Sequence, residues 1–83
     1  MTEKTVLTEN LEETAVLFGT YDLNTSLIER AFSVAISARD TAEAGGSAIL
    51  IRGEEPELVE KAAETVRYCL RMIRLNAALE ALQ

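Results

Sequence analysis

With 83 residues, 48% hydrophobic and 27% charged, the chain is a single small globular domain, too apolar for disorder and too short for a second core. Fourteen acids against eight bases leave a net charge of −6, which argues for solubility and against holding nucleic acid by a bulk basic field. Histidine is absent and there is one cysteine, so the commonest general base, the commonest metal ligand and a disulfide frame are all excluded. Cys69 has apolar neighbours on its helix and reads as a small buried hydrophobe in a reducing compartment. The first residues carry no signal-peptide pattern, and no apolar stretch approaches the roughly 20 residues that span a bilayer. The expected compartment is the cytoplasm.

In chain order, residues 1–3 read as a flexible start, and 4–7 as a short strand with β-branched Val6 at its centre. A helix is predicted over 9–18, N-capped by Thr8, with Glu9, Glu12 and Glu13 where a helix start favours negative charge. Leu11, Ala15 and Phe18 recur at helical spacing, and Glu12 and Glu13 fall on the opposite side. The competing reading makes 14–18 a strand. Gly19 follows Phe18 as a natural helix stop, so 19–22 form a turn into a second helix over 23–32. Asp22 or Asn24 caps that helix, or Ser26 with Glu29 makes a capping box one turn later. Its apolar stripe is Leu23, Leu27, Ile28 and Ala31, closed by Phe32, with a break at Ser33.

Residues 34–39 alternate apolar with small or polar side chains, the period of a half-buried strand. A mobile loop with Gly45-Gly46 is predicted over 40–47, then a second strand over 48–52 that Gly53 ends. Pro56 flanked by Glu54, Glu55 and Glu57 marks a helix start. Leu58, Val59, Ala62, Ala63, Val66, Cys69, Leu70 and Ile73 give this helix a broad core-facing stripe, with Glu60, Lys61, Glu64 and Arg67 on its exposed side. It runs to about Glu80, so some 25 residues span roughly 37 Å, against about 30 Å for a compact domain of this size. Residues 75–83 therefore overhang the body. Met72, Leu75, Leu79 and Leu82 form a second stripe with nothing left in the chain to cover it. Either it self-associates, or the chain is cut from a longer protein whose next domain lies there; the second is expected, because the helix stops without a terminator.

Three sets of residues are candidates for function. The turn Gly19-Thr20-Tyr21-Asp22 combines a glycine with an aromatic ring able to stack on a base, although the plainer reading makes Gly19 and Asp22 helix caps. Arg39 and Arg52 end their strands and lie side by side if the register suits, with Arg30 nearby. Arg67, Arg71 and Arg74 repeat along one side of the last helix as a local basic strip, and Arg71 with Met72, Leu75, Leu79 and Leu82 makes a candidate protein-contact surface. No carboxylate is paired with a nucleophile or spaced to hold a metal, so the chain is not expected to be an enzyme.

Leu17-Phe18-Gly19, Asp22 with Asn24, Leu27-Ile28-Glu29, Val34-Ala35-Ile36 with Arg39, Ile49-Leu50-Ile51 before Gly53-Glu54-Glu55, and Val59-Glu60-Lys61-Ala62-Ala63-Glu64 together resemble the N-terminal domain of PhoH-like ATPases. The likeness covers nearly the whole chain in order; the loop over 40–47 is longer than in that family. It implies an α+β fold of KH-like β-α-α-β-β-α order, with a three-stranded sheet, three helices on one face and a long C-terminal helix. It also implies an accessory domain that precedes a P-loop ATPase domain, contacts it or neighbouring subunits, and engages single-stranded RNA. ATP and Mg would belong to that other domain, because the phosphate-binding signature is missing: Gly45-Gly46-Ser47 has no lysine and precedes a strand. A KH module grips the nucleic-acid backbone through a G-x-x-G loop between its first two helices. Here Asp22 stands where the second glycine belongs, and its carboxylate would repel a phosphate. Assembly or domain docking is therefore the preferred role, and single-stranded RNA binding in its own right the alternative.

Overall fold

A computed structural model describes residues 1–41 and 45–83. The described residues form strand β1 (Thr2–Leu7), helices α1 (Leu11–Phe18) and α2 (Leu23–Phe32), strands β2 (Ala35–Asp40) and β3 (Ser47–Gly53), and helix α3 (Pro56–Ala81). The fold is α+β with the predicted element order. β3 lies between its two neighbours and pairs antiparallel with both, giving the sheet order β1-β3-β2. Strand periodicity puts Val6, Ile36, Ile49 and Ile51 on one face, and these join Leu17, Ile28, Val59, Val66 and Leu70 in a single buried cluster. Thr5, Leu7, Ser37, Arg39 and Arg52 occupy the other face and are exposed. The helices therefore cover one side of the sheet only.

Each helix has an identifiable start and stop. Pro56 opens α3, where its missing N–H costs nothing. α1 is capped by Asn10, whose Oδ1 accepts the Glu13 N–H at 2.9 Å. Thr8 is not the cap. It is buried, its N–H bonds the Ser47 carbonyl at 2.9 Å, and its hydroxyl accepts the Ser47 N–H at 2.8 Å and meets the Thr14 hydroxyl at 2.8 Å. Gly46 packs on this latch so closely that any Cβ would collide with the Thr8 carbonyl. Gly46 is thus a fixed contact, and Asp40 and Ser47 pair in the sheet; of the loop predicted over 40–47, residues 42–44 lie outside the described residues. The first strand begins at Thr2, so Thr2 and Glu3 pair with Gly53 and Arg52 instead of forming a free start.

The faces of the two short helices match the expected ones only in part: Phe18, Ile28 and Phe32 meet the core as predicted. α1 buries Glu13 and Leu17 and leaves Leu11, Ala15 and Val16 exposed. α2 buries Thr25 and Ile28, with Phe32 half-buried, and exposes Leu23, Leu27 and Ala31. α3 matches its predicted stripe: Val59, Ala62, Ala63, Val66 and Leu70 are buried, and Cys69 and Ile73 pack on the cluster. At 26 residues it is about 39 Å long, and it sets the long dimension of a body measuring 43 × 27 × 22 Å. No helix of the described residues is long and apolar enough to cross a membrane.

Candidate functional site

The corner between α1 and α2 is sharp and strained. Gly19 takes φ +79°, and its N–H caps α1 by bonding the Ala15 carbonyl at 2.9 Å. A Cβ there would sit 2.6 Å from Asn24 Nδ2, which donates to the Val16 carbonyl at 3.1 Å. Asn24 thus closes the end of α1 instead of starting α2. Asp22 occupies the N-cap position of α2 but makes no side-chain cap bond, and Glu29 serves no capping box: its Oε2 accepts the Ile36 N–H at 2.8 Å. Thr20, Tyr21 and Asp22 form a single 3₁₀ turn in which Tyr21 and Asp22 hold φ near +55°, an uncommon conformation for residues with a Cβ. Tyr21 is 98% exposed. The groove beside this corner is lined by Ala15, Val16, Gly19, Thr20, Leu23 and Asn24, with no cation among them.

The register does not bring Arg39 and Arg52 side by side. In the β2–β3 register Arg39 faces Ala48 and Arg52 faces Ala35, so the two are four residues apart on the same open sheet face. At strand rise that is about 13 Å. Arg52 lies 3.4 Å from Glu3 on the neighbouring strand, which offsets its charge. Arg30 and Arg39 are exposed and form no ion pair among the described residues.

The strip on α3 is also partly neutralised. Arg67 pairs with Glu60 at 3.3 Å, and Glu60 also meets Lys4 at 3.2 Å. Arg74 reaches across to α1: its Nε and Nη2 donate to Glu13 at 2.9 and 3.1 Å, and Nε lies 2.9 Å from Glu9. The Arg74 hydrogen bonds hold the Glu13 carboxyl below the usual carboxylate range in spite of its burial. The Glu9 N–H donates to the same carboxylate at 2.9 Å. Arg71 alone of the three makes no ion pair among the described residues, and its guanidinium sits 5.9 Å from the centre of the Tyr68 ring. The Glu13–Arg74 clasp was missed because the expected helix face put Glu13 in solvent. Asn10 with Glu13 three residues on is the pattern of a capping box, and that signal marks Glu13 as held at the helix start, where it accepts the Glu9 N–H.

Around and beyond Arg74 the last helix is mostly exposed, and Met72, Ile73, Asn76, Ala77 and Glu80 line a shallow groove against Asn10, Glu12 and Val16. Met72 is 46% exposed, Leu75 and Leu79 are each 52%, and Leu82 is 83%. At 100° per residue the centre of this stripe lies roughly 170° around the axis from the centre of the buried stripe. Its side chains therefore point away from the core that the same helix covers. Among the described residues no group of three or more acidic or cysteine side chains is placed to hold a metal ion. No protein-family model matches the chain, and no curated protein matches it.

Proposed function

We propose that the chain is a non-catalytic accessory domain that docks another protein through the exposed end of α3. The observation that carries this reading is the stripe Met72, Leu75, Leu79 and Leu82, apolar, contiguous and turned away from the domain's own core. Burying it would release water from four large side chains at about 25 cal/mol per Å². The resemblance to PhoH-like N-terminal domains supplies the partner: the P-loop ATPase domain that follows in that family, or the neighbouring subunit of its assembly. ATP and Mg act there and not on this chain. A free Cys69 accords with the cytoplasm as the setting. Sedimentation over a concentration series, with and without an added P-loop ATPase domain of the PhoH-like kind, tests the idea. Association that disappears in the Leu75→Glu, Leu79→Glu variant supports it; a monomer that binds nothing at high concentration removes it.

The strained corner favours a second reading, a KH-like module for single-stranded RNA. Tyr21 is held in the open by a turn with two consecutive residues at positive φ, which suits a stacking platform. On that reading Tyr21→Ala weakens single-stranded RNA about tenfold, the scale of one lost stack. Charge reversal at Arg39 and Arg52 weakens it further and flattens the salt dependence. Binding unchanged in both variants ends it.

A further inference from the structure

We propose that the free edge of β1 is a docking groove for an extended acidic peptide, separate from the end of α3 and independent of the reading above. The Thr8 N–H bonds the Ser47 carbonyl, and Thr8 and Ser47 continue the β1–β3 register by one pair. Antiparallel alternation then turns the backbone groups of Thr2, Lys4 and Val6 towards β3, and those of Glu3, Thr5 and Leu7 outwards. Among the described residues no hydrogen bond from another element reaches those outward groups. The opposite edge of the sheet is treated differently: there the outward N–H of Ile36 is taken by Glu29. One outward N–H of the β2 edge is answered in this way, and among the described residues none of the β1 edge is.

What lies beside the open edge determines the partner. Thr5, Val6 and Leu7 form one wall of a groove of about 690 Å³, and Glu64, Arg67, Leu70, Arg71 and Arg74 of α3 line the other, three cations against one acid. On a protein of net charge −6 this is a local concentration of cations. Arg74 is committed to Glu13, but Arg67 is held only by an exposed pair that exchanges at little cost, and Arg71 stacks on Tyr68 with its charge unanswered. A strand added to β1 gains main-chain hydrogen bonds from Thr5 and Leu7, and every second side chain faces the arginines. Those side chains are acidic. A second copy of this chain fits less well, because pairing two β1 edges would bring two rows of arginine together.

The test uses the 83-residue chain and a short capped peptide alternating glutamate with valine, followed by amide resonances and hydrogen exchange. The peptide should shift the Glu3, Thr5 and Leu7 amides and slow their exchange, and its lysine–valine counterpart should not bind. Arg71→Glu should weaken the acidic peptide about tenfold, since attraction becomes repulsion at one contact. Thr5→Pro removes only an outward N–H and should weaken it too; if that variant does not fold, Arg71→Glu decides. Three results overturn the proposal: unmoved Thr5 and Leu7 amides at millimolar peptide, equal binding of the two peptides, or edge signals that follow protein concentration and so report a second copy. Perturbation of the arginines by an oligouridine that leaves these amides unmoved overturns it as well.

Discussion

The two ends of α3 belong to one continuous helix but sit in opposite environments. From Val59 to Leu70 its inward residues are buried against the sheet and the two short helices. From Leu75 to Leu82 its leucines face solvent, on the other side of the axis. Sequence pattern is apolar in both stretches, so hydrophobicity alone does not say which part folds the domain. Position does: only the first half runs alongside β1 and β3. One continuous helix closes the core at one end and presents an exposed apolar surface at the other.

Substitutions at the packed end should be costly. Ile49→Ala, beneath α3 in the central strand, should cost about 3–4 kcal/mol by chemical denaturation, because a fully enclosed side chain leaves a cavity. A loss below about 1 kcal/mol would mean that the sheet–helix layer is looser than described.

The boundary between the two ends is the Glu13–Arg74 clasp. Arg74→Ala strands a buried carboxylate and should cost about 2 kcal/mol at neutral pH. The pH dependence has a fixed sign. Because the folded-state pKa of Glu13 is lowered, its contribution is fully present above the ordinary carboxylate pKa and is lost as pH falls through the folded value. Arg74→Ala should therefore lose less stability than the wild type on acidification; an unchanged acid limb would show that the clasp does not form in solution.

Tyr21→Gly sharpens the contrast from another side, since it relieves a positive φ on an exposed residue. It should raise stability by about 0.5 kcal/mol or leave it unchanged, and a clear loss would show that the ring packs against something.

The order of elements, α3 from Pro56, the stop at Gly19 and the break at Ser33 were all legible, because Pro, Gly and alternation act locally. The inward faces of α1 and α2 were legible only in part: Phe18, Ile28 and Phe32 meet the core as predicted. Both helices are short enough that one apolar stripe looks like another, and tertiary contacts chose Leu17 over Leu11, and Thr25 over Leu23 and Leu27. The separation of Arg39 from Arg52 has the same origin: a strand's register is set by its partner, and β2 pairs with β3 four residues away from the alignment that would join them. Asn10-to-Glu13 spacing carried a signal for a carboxylate held at the helix start; its partner Arg74, 61 residues on, carried none.

The most direct measurement compares folding and association in one variant, Leu75→Glu with Leu79→Glu. Its unfolding free energy should stay within about 0.5 kcal/mol of the wild type, as for exposed positions, while the proposed docking to a P-loop ATPase domain or to a neighbouring copy is lost. An unfolding free energy that falls as far as for Ile49→Ala, or binding that persists, would contradict the division of α3 into a folding half and a docking half.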